Sequence, residues 1–230
     1  MHRVLACFLV VSLSVTPPIS NLGDIAICSV TEKVKEKNLC FTGYYPRFFG
    51  IGDNAAQKSL NVQMQEHAHV ALARTKAAAA QLTTGDRSEQ QRVEGTFGYE
   101  VKRNSNGVVS LLLSDTLYTA KENTKQNKYG ITFKVSNGEI LKLANLFQNT
   151  EEGIHLVDRE IEKQLDNRKL KAKLQKATPQ IHANQPFYLT DDSLVIIVPE
   201  MTWFGREMGT VEFPVSFDTL KECFIFDFVP

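Results

Sequence analysis

Three stretches of this sequence carry titratable residues close enough together to suggest chemistry. His67-Ala68-His69 sets two imidazoles one residue apart. Such a pair could share a metal only on a strand, where positions i and i+2 lie on one face; on a helix they diverge. The surrounding pattern is helical, so His67 reads as a half-buried packing residue and neither histidine as a ligand. Glu151-Glu152 and Asp191-Asp192 are adjacent carboxylates. General acid–base pairs come from different elements facing one another across a cleft, not from neighbours in sequence. Glu151-Glu152 stands where a helix N-terminus favours negative charge. Asp191-Asp192 reads as a turn, because short acidic side chains cap their own backbone and tolerate unusual φ. His155 and His182 stand alone, and no GxSxG, HExxH, P-loop or GxGxxG pattern is present. The expectation is therefore no catalytic residue, no metal and no cofactor.

A fourth stretch, "PEMTWFGREMG" from Pro199 to Gly209, holds the sole tryptophan, a phenylalanine, an arginine and two methionines. Trp and Arg are favoured at binding hot spots, and loops carry recognition. Trp203, Phe204 and Arg206 are accordingly the candidate ligand-binding residues. The alternative, which large aromatics favour, is that Trp203 and Phe204 tuck back over a sheet edge.

The elements that must position these residues are mostly strands. Residues Ala26 to Tyr45 read as two strands hinged near Glu36-Lys37-Asn38. Asn106-Gly107 and Asn137-Gly138 each sit between apolar runs, the strongest short-range hairpin signal, since both residues accept positive φ. The second of these predicts a return strand from Ile140 to Leu143. Phe187 to Thr190, a turn at Asp191-Asp192-Ser193, and Leu194 to Val198 make a further hairpin. Two segments change the period. From Asn54, with Gln57 three residues on as in a capping box, a helix carries Leu60, Met64, His67 and Ala71 at helical spacing and stops at Thr83-Thr84-Gly85. A second helix spans Glu151 to Ala177, with Ile154, Val157, Ile161 and Leu165 on one stripe, a basic second half, and Pro179 beyond its end. "LKLANLF" is a short helical turn, and Thr83 to Gly95 a loop. The order gives an α+β fold: antiparallel sheet hairpins with two main helices packed on the sheet.

His2 and Arg3 precede an apolar run from Val4 to Val15, then Pro17 and Pro18. That is the layout of a secretory signal peptide, expected over residues 1–20, and the run is short of the roughly 20 residues that a membrane anchor needs. The remainder, 21–230, is expected to be a single extracytoplasmic domain with no membrane span, divisible into sub-regions 26–120 and 121–228. Export leaves Cys28, Cys40 and Cys223, either as one disulfide and a free thiol or as small buried hydrophobes. Lysine plus arginine equal aspartate plus glutamate at 26 each, so no global field attracts nucleic acid. The 43% hydrophobic content suffices for a core.

The motifs "YYPRFFGIGDNAAQKSLN", "YEVKRNSNGVVSLLLSDTLYT", "YGITFKVSNGEILKLANLF", "FYLTDDSLVIIVPE" and "MGTVEFPVSF" come in an order that resembles one bacterial family. It is the extracytoplasmic domain shared by RsiV-type anti-sigma factors, which act as lysozyme receptors, and by the non-catalytic region of PdaC-type peptidoglycan deacetylases. The likeness runs over roughly Ile27 to Leu220. It implies helices on antiparallel sheet and a secreted, non-catalytic binding module of the cell envelope. The partner it implies is a lysozyme-type protein or a cell-wall glycan. Sigma-factor control and deacetylation belong to other parts of those proteins and are not implied. An enzyme acting on envelope polysaccharide, or an accessory domain of one, is the alternative.

Overall fold

The structure, a computed structural model, describes residues 24–82, 92–119, 122–175 and 180–225. The expected signal peptide and the helix stops at Thr83–Gly85 and Pro179 lie outside these residues. Strands β1 (Ala26–Glu36) and β2 (Leu39–Phe49) form the first hairpin, in register from Ala26 opposite Phe49 to Glu36 opposite Leu39. Helix α1 (Asn54–Ala80) follows, then β3 (Val93–Ser105), β4 (Val108–Thr119) and β5 (Glu122–Lys134). These five strands make one sheet in sequence order. A second sheet contains β6 (Phe187–Leu189), β7 (Ser193–Val198) and β8 (Val211–Ser216), antiparallel throughout. Helix α2 (Thr150–Asn167) precedes it, and the single turn α3 (Phe217–Leu220) follows.

The α+β fold stands, with antiparallel pairing dominant, but one junction is parallel. β2 and β3 pair side by side from Leu39 opposite Val93 to Gly43 opposite Phe97. A helix of 27 residues separates them, and a chain that crosses back over a sheet through a helix returns in the direction it started. Val93, Glu94 and Gly95, expected in a loop, thus belong to a strand.

Side-chain alternation sorts the layers. On β4, Val109, Leu111 and Leu113 join the core under α1 with Leu60, Met64 and Ala68. Val108 and Leu112 face the other way, where Leu112 packs with Tyr188, Val195 and Ile197. The opposite face of β7, Leu194, Ile196 and Val198, packs with Val157, Ile161 and Leu165 of α2. The order is α1, five-stranded sheet, three-stranded sheet, α2. β4 is apolar on both faces because both are covered. Its buried Ser110 is one polar exception: the hydroxyl lies 2.7 Å from Thr132 Oγ1 and accepts from the Leu189 N–H at 2.8 Å, tying sheet to sheet.

Local chemistry explains the element ends. Asn106 and Gly107 both have positive φ, 54° and 73°, as the tightest hairpin turn requires. At Asn137-Gly138 only Gly138 does, and the return is a single bridge, Phe133 to Ile140, before a 3-10 turn at Leu143–Leu146. The return strand expected there does not form. The N-cap of α1 is Asp53, which accepts from the Ala55 and Ala56 N–H groups, one residue before the expected Asn54. α2 ends ten residues earlier than the pattern suggests. Lys169 takes φ 54°, its N–H donates to the Asp166 carbonyl, and the Leu170 N–H donates to the Leu165 carbonyl at 2.8 Å. That is a Schellman stop built without glycine. Among the described residues no helix is long and apolar enough to cross a membrane.

Candidate functional site

A groove of about 580 Å3 runs between the β1–β2 hairpin and the N-terminal half of α1. Val30, Tyr45, Arg47 and Phe49 line its sheet side, and Lys58, Val62 and Gln65 its helix side. Two amides fix its width. Asn61 Oδ1 accepts from the Phe48 N–H at 2.7 Å while its Nδ2 donates to the Phe48 carbonyl at 3.1 Å. Gln57 Oε1 accepts from the Gly50 and Ile51 N–H groups at 2.8 and 3.2 Å. Both side chains thereby hold the end of β2 against α1, and the groove is preformed.

The charged side chains of the groove are otherwise uncommitted. The exposed Arg47 guanidinium lies 5.7 Å from the Phe49 ring centre, a cation–π contact that leaves its N–H edge to solvent. Neither Arg47 nor the exposed Lys58 forms an ion pair among the described residues. Beyond Val30, at the next position on the same strand face, stands Glu32; beyond Gln65, one helical turn on, stands His69. His69 Nε2 is 3.3 Å from Glu32 Oε2. That approach lacks hydrogen-bond alignment, and Oε2 is a buried oxygen without a donor. Burial, and then the Glu32 charge, push the Tyr45 hydroxyl above the ordinary tyrosine pKa, against the opposing pull of Arg47. The groove is therefore lined by two cations without an ion pair and by the Tyr45 and Phe49 rings, while the Glu32 carboxylate lies buried beyond it beside His69.

The residues singled out in the sequence lie elsewhere. Trp203 is 7% exposed and Phe204 1%; both pack on Phe213, with ring centres 6.0 and 6.5 Å away. The exposed aromatic patch does not exist, because these rings close the core over β8 instead. Of the three candidate ligand-binding residues only Arg206 is at the surface, with its Nε 3.3 Å from Glu200 Oε1. Met201, at φ 63°, is the exposed hydrophobe of that loop. The turn reading of Asp191-Asp192 agrees with the geometry: both are exposed, and Thr190 and Ser193 hydroxyls donate to Asp192 Oδ1, each at 2.8 Å, holding its pKa below the usual range. Glu151 and Glu152 occupy the first turn of α2 behind the Asn149 cap. His67 and His69 diverge around the fully buried Ala68, as a helix dictates. His67 Nδ1 lies 3.3 Å from the Tyr129 hydroxyl, and burial lowers its pKa. Among the described residues no cluster of His, Cys, Asp and Glu could hold a metal ion. Cys28, Cys40 and Cys223 are all free thiols; only Cys223 is fully buried.

Two further polar clusters are structural. Arg74 Nη1 meets Asp115 Oδ2 at 3.0 Å, and Asn127 Nδ2 donates to the other oxygen at 2.7 Å, so both oxygens of this buried carboxylate are engaged in anchoring α1 to the sheet. Between the sheets, Lys128 Nζ is 3.0 Å from Glu212 Oε1 while the Tyr188 hydroxyl donates to Oε2 at 2.9 Å. Burial opposes the Glu212 charge, but these two hydrogen bonds outweigh it and its pKa falls below the ordinary value.

The groove residues went unnoticed in the sequence because they belong to three separate segments. The one local sign was "YYPRFF", four aromatics around an arginine on what is an exposed strand end.

Fold and groove together define a helix–sheet–sheet–helix α+β protein with an open groove on its first layer. Residues 144–218, which span α2 and the whole three-stranded sheet, match the model of the family described as protein of unknown function DUF3298. The groove lies outside that segment. Solved structures repeat the complete fold. A member of the DUF3298 family from Bacteroides fragilis NCTC 9343 is 14% identical, with a TM-score of 0.65 over 89% of this chain and 95% of that one. A DUF3298 family protein from Pseudomonas aeruginosa PAO1 is 11% identical, with a TM-score of 0.62 over 90% and 97%. At these identities the likeness is one of fold. A search of curated proteins found none similar in sequence.

Proposed function

We propose that this chain is a secreted, non-catalytic binding module of the bacterial cell envelope, and that the groove between β2 and α1 holds a segment of cell-wall polymer. The observation that carries the reading is the make-up of the preformed groove: Arg47 and Lys58, neither in an ion pair among the described residues, line it together with Tyr45 and Phe49. General acid–base work needs groups converging on one reacting atom; groups set apart along a slot suit recognition of an extended ligand. The volume agrees. Small-ligand sites run to about 300–1,000 Å3, whereas a globular partner such as a lysozyme-type enzyme needs roughly 800 Å2 of contact on each side. The motif that carries the resemblance to RsiV-type and PdaC-type extracytoplasmic domains, Tyr44 to Asn61, is the same stretch that builds much of the groove.

The test is co-sedimentation with purified peptidoglycan sacculi. The mature chain should pellet with them, and Arg47→Ala with Phe49→Ala should reduce binding at least tenfold with an unchanged melting curve, since both side chains are exposed. A chain that stays in the supernatant, or a double variant that binds as well as the parent, refutes the reading. Binding to lysozyme in place of sacculi would move the function to the protein-partner class.

A further inference from the structure

We infer that the segment held in the groove carries a carboxylate, which Arg47 and Lys58 bind while Tyr45 and Phe49 pack against the carbon skeleton beside it. The inference rests on the binding reading above and narrows it from cell-wall polymer to an acid-bearing part of such a polymer.

Local charge is the first support. The whole chain is neutral, with 26 basic and 26 acidic residues. The groove is not: Arg47 and Lys58 line it, and among the described residues no aspartate or glutamate does. Both cations are exposed and neither forms an ion pair among the described residues. Two unneutralised charges in a concave site favour an anion over a neutral or cationic ligand.

The setting of the two cations is the second. The Arg47 guanidinium carbon lies 5.7 Å from the Phe49 ring centre. Stacking restrains the side chain, and its planar fork of N–H donors matches the two oxygens of a carboxylate. Lys58 stands one helical turn before Asn61, whose amide is tied to both backbone groups of Phe48, the neighbour of Arg47. That clamp holds the two backbones that carry the cations at a fixed spacing. Phe49 and Val62 are 43% and 45% exposed, so apolar surface remains to be covered next to the charges.

The helix end beside the groove favours a carboxylate over a phosphate. Asn54, the first residue of α1, lines the groove, and the amides of a helix N-terminus are what commonly hold a phosphate. Here Asp53 accepts from the Ala55 and Ala56 N–H groups at 2.7 and 3.1 Å. That carboxylate occupies the donors and repels a doubly charged group, which leaves the two side-chain cations as the partners of the anion.

The test is co-sedimentation of the protein with purified sacculi, untreated or with their carboxyl groups converted to methylamides by carbodiimide coupling. Amidation should weaken binding at least about tenfold, as the loss of hydrogen bonds to a charged group does. Arg47→Gln with Lys58→Gln should bind untreated sacculi at least about tenfold more weakly and should no longer distinguish them from amidated ones. Lys33→Gln with Lys35→Gln removes the same charge from exposed positions of β1 outside the groove and should bind as the parent does. Both double variants should keep the parent melting curve, because all four side chains are exposed. Equal binding of the parent to amidated and untreated sacculi overturns the inference and leaves the binding function standing; binding to neither refutes both. A folded Arg47→Gln, Lys58→Gln protein that still prefers untreated sacculi also overturns it, by placing the carboxylate elsewhere on the surface. An equal loss in the Lys33→Gln, Lys35→Gln protein overturns it too, by reducing the effect to net charge. Sacculi stripped of phosphodiester-linked polymers with hydrofluoric acid should bind as well as unstripped ones, and a loss of binding there would make the anion a phosphate.

Discussion

Gly130 of β5 lies directly against the backbone of Phe187 in β6: a Cβ built at Gly130 would stand 1.7 Å from the Phe187 carbonyl oxygen and 2.5 Å from its carbonyl carbon. The two sheets touch backbone to backbone at that point, close to where the Leu189 N–H of β6 donates to the Ser110 hydroxyl of β4. Neither strand can retreat without opening the cluster of Leu112, Tyr188, Val195 and Ile197. Gly130→Ala should therefore cost at least about 3 kcal/mol, the upper range for overpacking, seen as a lowered urea midpoint. A loss under about 1 kcal/mol would mean that the sheets slide apart freely.

Trp203 and Phe204 belong to the core. Trp203→Ala should cost about 3–5 kcal/mol, as aromatic truncation in a packed site does, and should leave sacculus binding at saturating folded protein unchanged. Arg206→Ala removes an exposed pair with Glu200 and should cost less than about 1 kcal/mol. A Trp203→Ala protein that melts normally but no longer binds would restore the loop from Pro199 to Gly209 as the recognition surface.

How much of this was readable in the sequence follows from how local each cause is. The turns at Asn106-Gly107 and Asp191-Asp192 were legible because two residues dictate them. So was the buried stripe of α2, Val157, Ile161 and Leu165, which repeats within one element. The end of α2 was not, because a lysine at φ 54° takes the place glycine usually holds in such a stop, and the stop depends on Leu170 entering the core. The parallel pairing of β2 with β3 was not, because it results from where α1 delivers the chain. The groove was the least legible feature. Its residues are ordinary until β1 pairing sets Val30 opposite Tyr45, and Asn61 clamps Phe48.

The Glu212 carboxylate gives a pH signature. Its folded pKa lies below the ordinary glutamate value of about 4.3. The unfolded chain thus binds more protons in that window, and the stabilisation is present above the ordinary value and lost as pH falls through the folded one. Glu212→Gln should cost about 1.5 kcal/mol at pH 7, a typical figure for hydrogen bonds to a charged group. The gap between parent and variant should close towards pH 3 in denaturant titrations. A gap that persists unchanged would show that the ion pair with Lys128 is inconsequential.

The three free thiols should differ in reactivity. Cys28 and Cys40 are half-buried on the first hairpin, while Cys223 is buried, and burial followed by the charges of Glu152 and Glu222 pushes its thiol pKa up. Because the thiolate is the reacting species, a thiol reagent at pH 8 should label Cys28 and Cys40 in the native protein and Cys223 only on unfolding. Mass mapping of the adducts checks this; early labelling of Cys223 would contradict its packing against Phe224 and Leu220.

The central claim is that the groove between β2 and α1 is where this protein meets its ligand. It is tested most directly by amide chemical-shift mapping of the protein during titration with soluble muropeptides released from purified peptidoglycan. The account predicts saturable shifts concentrated on Val30, Tyr45, Arg47, Lys58 and Gln65, with the segment from Met201 to Gly209 unmoved. Shifts centred on that segment, or none anywhere at millimolar fragment, would contradict it.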